Sequence, residues 1–237
     1  MVLLFILTAC VEPLITDVTL TGTLSESSDP SSLPVQGTVA TITLLDEEYD
    51  CTASNALGDF SLSAPASSNF FVHADATDRV TTTFTGWSGI EDIEVDPGTI
   101  WVQSHEALDQ IREEFSSCAD DIAYADGAVV EGEVRLYLPV DENPGSLPLV
   151  TTATVEVVDQ FGLTTTACYL DDDGVSDPDA SVTGQSGRFA IFGLSSGEAV
   201  VTITYTVTTG LEETSEYPIL LPENGTAPMY PILVALP

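Results

Sequence analysis

The chain has 237 residues, of which 43% are hydrophobic, enough to bury packed cores and to exclude wholesale disorder. Its 38 acidic residues face four arginines (Arg79, Arg112, Arg135 and Arg188) and no lysine, a formal net charge of −34. That balance excludes nucleic acid as a partner, because phosphate binding is carried by Lys and Arg, and it excludes electrostatic attraction to anionic membrane surfaces. The acid is spread along the chain and not gathered in a tail, which reads as a solvated folded surface whose self-repulsion salt relieves.

The chain opens with MVLLFILTAC. Val2 to Leu7 is apolar but too short to span a bilayer. Thr8 and Ala9 then supply the small residues that signal cleavage requires. Leu7-Thr8-Ala9-Cys10 resembles a bacterial lipobox. The resemblance implies that residues 1–10 are a lipoprotein signal peptide ending at a lipidated Cys10. The membrane is then a partner through an N-terminal lipid, and the protein is exported to the cell envelope. Val11 after the cysteine, in place of Asp, implies outer-membrane anchoring. One departure stands out: no Lys or Arg precedes the apolar run.

From Asp17 onward the dominant pattern is alternation. DVTLTGTL places Val18, Leu20 and Leu24 on one face. ATITLLD (40–46) and LGDFSL (57–62) follow. The one helical window is SHEALDQIREEFSSC, where Ser104 caps, Glu106 suits the first turn, and Leu108, Ile111 and Phe115 share a face. Alternation then returns in VVEGEVRLYL, with Val130, Val134, Leu136 and Leu138 on one side. Glu131, Glu133, Arg135 and Tyr137 are expected on the other face. EAVVTITYTV places Ala199, Val201, Ile203, Tyr205 and Val207 on one face. Period-two runs of Val, Ile, Thr and Tyr between Gly, Pro, Asp and Ser clusters read as antiparallel strands.

The strands also repeat. Gly22-Thr23-Leu24, then ATITLLD, then LGDFSL in the first half match Gly132-Glu133-Val134, then ATVEVVD (153–159), then SGRFAI (186–191) in the second. Two copies point to two related β domains, since a solenoid needs more repeats to bury its core. On VEGEV, TATVEVVD and TGQSGRFAIFGLSSGEAVVTIT the chain resembles the carboxypeptidase regulatory-like domain, well over 130–237 and loosely over 17–100. The resemblance implies a prealbumin-like β-sandwich of bacterial surface lipoproteins, acting as an accessory, adhesive or spacer module without catalytic residues.

Motifs that suggest chemistry are few. Gly193-Leu194-Ser195-Ser196-Gly197 is a literal G-x-S-x-G, but alternation resumes straight after it, and a nucleophile elbow needs a helix there. Both histidines, His73 and His105, precede Ser195, whereas an α/β-hydrolase histidine follows its serine. His105-Glu106 begins a zinc-protease motif that fails at Asp109. The acidic run DDDGVSDPD offers Asp171, Asp173, Asp177 and Asp179 as a weak calcium site, with Tyr169 where an EF-hand would place its first ligand. Trp87, Trp101 and Tyr137 offer a stacking face for a polysaccharide, although core packing is the commoner use of such rings. Asn224-Gly225 reads as a turn between the last two strands. Of the remaining cysteines, Cys118 is expected to pair with Cys51 or Cys168.

The expectation is therefore an all-β chain of two tandem antiparallel β-sandwich domains with one short intervening helix. The bounds are 17–100 for the first sandwich, 101–126 for the helix and linker, and 127–237 for the second. The function expected is that of a lipid-anchored, non-catalytic structural or adhesive surface module with a protein or polysaccharide partner. The alternative is a carbohydrate- or calcium-binding accessory module of the cell envelope.

Overall fold

The structure is a computed structural model that describes residues 16–44, 47–118, 127–137, 147–206 and 210–235. The described residues form an all-β fold with one helix. The first half carries β1 (Asp17–Ser25), β2 (Thr38–Ile42), β3 (Glu48–Ala53), β4 (Asp59–Pro65), β5 (Asn69–Asp75), β6 (Thr82–Trp87), β7 (Ile93–Glu94) and β8 (Ile100–Trp101). Helix α1 (His105–Glu114) follows. The second half carries β9 (Ala128–Tyr137), β10 (Thr154–Asp159), β11 (Thr164–Thr166), β12 (Cys168–Leu170), β13 (Ser176–Asp177), β14 (Arg188–Leu194), β15 (Gly197–Thr206), β16 (Glu212–Leu221) and β17 (Thr226–Ala235).

The two halves use one pairing scheme. In the first, β3, β2, β5 and β6 run antiparallel in that order. Opposite them β1 pairs antiparallel with β4 and parallel with β7 and β8. In the second, β11, β10, β15 and β16 repeat the four-strand order. There β9 pairs antiparallel with β14 and parallel with β17. The repeated glycines occupy matching places: Gly22 stands opposite Phe60, and Gly132 opposite Phe189. A Cβ on Gly22 would lie 3.0 Å from Phe60 Cζ, and one on Gly132 2.8 Å from Phe189 Cζ. In each half the aromatic ring of the partner strand occupies the space above a glycine, which covers the bare backbone.

Alternation builds a core in each half. Leu20, Leu24, Val39, Phe60, Phe70 and Val72 form the first. Val134, Val155, Phe189, Ile191, Val201 and Ile203 are prominent in the second. A third cluster joins Val80 to Leu108, Ile111 and Phe115 of α1 and to Val129, Leu170, Ala190 and Phe192. The helix forms where its sequence signals lie. Ser104 Oγ accepts the Ala107 amide at 3.0 Å, and Leu108 and Ile111 are buried. The Arg188–Glu114 ion pair fastens the helix to β14, with the Arg188 guanidinium 5.7 Å above the Phe115 ring.

Through that cluster both faces of β9 are covered: Glu131, on the face opposite Val130, is only 4% exposed. The helix region covers the outer side of β9, so Val129 and Glu131 are buried there while Val130 and Val134 fill the core on the inner side. Gln103, just before α1, donates from Nε2 to Glu131 Oε1 at 2.9 Å. The hint in the sequence is the unbroken apolar run Ala128-Val129-Val130, which marks a strand buried on both faces. The strand pairing also continues between the halves. Thr226 of β17 pairs with Thr82 of β6, and Thr85 Oγ1 donates to the Pro218 carbonyl at 2.8 Å.

Candidate functional site

Ser195 sits in a turn. β14 ends at Leu194 and β15 starts at Gly197, so Ser195 and Ser196 join two strands and no helix follows. Gly193 at φ 70° and Gly197 at φ 121° hold the left-handed conformations that the turn demands. The pocket around the serine is lined by Gly127, Gly193, Ser195, Ser196, Glu223 and Asn224 beside Leu194, and no histidine lines it. His73 lies in β5, with Nδ1 3.2 Å from Thr83 Oγ1, and His105 opens α1. Asn224 adopts φ 50° between β16 and β17, and its Oδ1 accepts the Gly127 amide at 3.1 Å.

The acidic run folds as turns. Asp171 Oδ1 accepts the amides of Asp173 and Val175, both at 2.9 Å, and closes the loop from β12 to β13. Asp177 Oδ1 accepts the Asp179 amide at 2.9 Å. These carboxylates serve as side-chain caps on tight turns. Asp171, Asp173, Asp177 and Asp179 are not brought together as a ligand set. Among the described residues, no group of three or more His, Cys, Asp or Glu side chains is arranged to hold a metal ion.

Trp87 and Trp101 do not share a platform. Trp101 meets Phe84 edge-on at 4.6 Å between ring centroids, and Phe84 packs against the first core. Trp87 is three residues from Phe84 along β6, hence on the opposite face of the strand, and is 68% exposed. The Tyr137 side chain lies outside the described set.

Of the two partners open to Cys118, the structure joins Cys168, with the two Cα atoms 5.7 Å apart. The bridge ties the end of the helical segment to β12. Cys51 is a free, exposed thiol on β3, and its pKa is pushed up first by desolvation and then by the carboxylates of Glu48 and Asp50. Cys10 and the rest of the 1–15 segment lie outside the described residues. Among those described, no helix is long and apolar enough to cross a membrane.

One site escaped the sequence. A groove of about 440 Å³ opens where the first half leans over the outer face of the β10–β15–β16 sheet, and Glu198 lines it. No motif marks it, because its walls come from Leu44 and Phe71 on one side and Val158, Val200 and Pro218 on the other.

No protein-family model matches the chain, and no curated protein sequence matches it. Similar solved structures include GBS52, the minor pilin of Streptococcus agalactiae, at 13% identity and a TM-score of 0.33, covering 93% of this chain and 97% of that one. The shaft pilin spaA of Lactobacillus rhamnosus GG is similar at 13% identity and a TM-score of 0.26, over 94% and 99% of the two chains. The Bacillus anthracis TIE protein is similar at 10% identity and a TM-score of 0.29, over 93% of this chain. This chain spans only 34% of the TIE protein's length. TM-scores in this range carry no assignment of family or function.

Proposed function

We propose that the chain is a non-catalytic structural or adhesive module of the cell envelope, held to the membrane by a lipid on Cys10. On this reading residues 17–100 and 127–237 are two related prealbumin-like sandwiches of the carboxypeptidase regulatory-like kind, and 101–126 is the connecting helix and linker. The observation that carries the reading is the recurrence of one strand-pairing scheme, with a glycine–phenylalanine pair at the same place in each half. Duplication of a plain β framework suits a spacer or adhesin, whose task is to hold surfaces at a distance. The turn placement of Ser195 supports the non-catalytic half of the reading.

The mechanism is physical. Acyl chains anchor the N-terminus, the β domains project from it, and the acidic surface keeps them solvated. Palmitate labelling of cells carrying the wild type or Cys10→Ala tests the anchor: label is expected on the wild type alone, and equal labelling overturns it. The exposed Trp87 ring favours a second reading, a carbohydrate-binding accessory module. A glycan array on the wild type and Trp87→Ala separates the two, because the structural reading expects no hit that the substitution abolishes.

A further inference from the structure

Along β15, the residues Glu198, Val200, Thr202, Thr204 and Thr206 alternate with the core residues Ala199, Val201, Ile203 and Tyr205, and so face outward. Pairing register sets Val158 of β10 and Pro218 of β16 on either side of Val200. That apolar row is one wall of the inter-half groove, and Leu44 and Phe71 supply the other. Phe71 is buried, but Leu44 is 38% and Val200 37% exposed, so the groove opens to solvent with apolar lips. Its volume, about 440 Å³, suits one or two inserted side chains.

Glu198 gives the groove a chemical demand. The side chain is half-buried: its Oε1 is shielded from solvent and has no hydrogen-bond partner among the described residues. A buried carboxylate oxygen left unpaired is costly, and a cation donating to it recovers that cost. This chain has no spare cation to offer. It contains no lysine, and its four arginines are engaged as Arg79–Glu26, Arg112–Asp109, Arg135–Glu133 and Arg188–Glu114 pairs. Among the described side chains no cation is left over for Glu198, so a complementary charge would come from another molecule.

We infer that this groove docks a segment of a partner protein that presents a lysine or arginine next to a branched apolar side chain. The apolar side chain lies between Leu44, Val200 and Pro218, and the cation pairs with Glu198. Apolar burial supplies the affinity, and the half-buried Glu198 carboxylate selects for positive charge. This surface is independent of the lipid anchor and goes beyond the module reading.

The test is an NMR titration of the isotope-labelled chain with the blocked tripeptide leucyl-arginyl-leucine and with its neutral citrulline analogue. The expected result is saturable shifts confined to the amides around Leu44, Val158 and Val200. Affinity is expected to fall at least about fivefold for the citrulline peptide and for Glu198→Gln, as loss of one charge-assisted hydrogen bond predicts. Val200→Thr, which keeps the β-branched shape but places a hydroxyl in the wall, is expected to weaken binding as well. Glu216→Gln removes the same charge from the same sheet face outside the groove and is expected to leave binding unchanged. Equal loss in Glu198→Gln and Glu216→Gln overturns the proposal, because it assigns binding to the general acidic field. Absence of saturable shifts at the groove, or equal binding of the two peptides, overturns it too.

Discussion

The matching glycines allow the packing argument to be tested within one molecule. Gly22→Ala and Gly132→Ala make the same chemical change at equivalent places in the two halves, but the new methyl group meets different neighbours. On Gly22 the Cβ would approach Phe60 Cζ at 3.0 Å and Val95 Cγ2 and Cβ at 3.1 and 3.2 Å, all of them side-chain atoms. On Gly132 it would approach the Met229 carbonyl oxygen at 2.6 Å as well as Phe189 Cζ at 2.8 Å. That carbonyl belongs to the backbone of β17, which pairs in parallel with β9 through a register shift between Met229 and Ile232. Replacing a strand glycine with alanine gains about 0.5–1 kcal/mol from reduced backbone entropy in the unfolded chain. Overpacking against side chains roughly offsets this at Gly22, so that variant stays within about 1 kcal/mol of the wild type. At Gly132 the backbone must give way, and a net loss of about 2 kcal/mol is expected.

Urea denaturation followed by far-UV circular dichroism reads this as a midpoint lower by about 1 M for Gly132→Ala and nearly unchanged for Gly22→Ala. Trp87 and Trp101 both lie in the first half, so tryptophan fluorescence reports that half separately. Gly132→Ala is expected to move the dichroism transition more than the fluorescence transition. Equal midpoints for the two variants refute the reasoning, since the argument rests on backbone obstructing one methyl group and side chains the other.

Two further outcomes follow from the second half. Cys118 and Cys168 are 50 residues apart in sequence, and removing that cross-link releases loop entropy worth about 4 kcal/mol in the unfolded chain; thermal melts of the double serine variant, and of the wild type with and without reductant, measure it. Tyr169 is fully buried, accepting the Val155 amide at 2.7 Å, and burial pushes its hydroxyl pKa up to about 12 from an ordinary 10.0. The unfolded chain therefore gives up this proton first as pH rises. The stabilisation is whole below pH 10 and is lost between pH 10 and about 12, an effect on the order of 2–3 kcal/mol. Stability measured across that window is expected to fall more steeply for the wild type than for Tyr169→Phe, and parallel profiles refute the assignment.

Much of the candidate chemistry was legible because it is local. G-x-S-x-G followed by EAVVTITY can be read as a turn into a strand, since the periodicity after the serine is written in adjacent residues. The acidic run was less legible. Its composition suits calcium, yet turn amides take up Asp171 and Asp177, and which way a carboxylate points depends on the loop's backbone. The two tryptophans looked like one platform in sequence, but strand parity puts Trp87 and Phe84 on opposite faces, and Trp101 packs with Phe84.

The sequence by itself determined the all-β class, the helix with its Ser104 cap, and the repeat that places Gly22 and Gly132 in equivalent strands. Each of these rests on spacing of two to four residues or on like segments recurring, and such spacing survives in the linear chain. Tertiary structure alone decided that Cys118 takes Cys168, that β17 lies parallel to β9 and reaches β6, and that Gln103, just before α1, meets a buried Glu131. It alone set Leu44 and Phe71 across from Val200 and left Glu198 Oε1 shielded with no partner among the described residues. Alternation tells which residues of a strand share a face. What covers that face is fixed by elements distant in sequence, and the energy that chooses among them arises only when they meet.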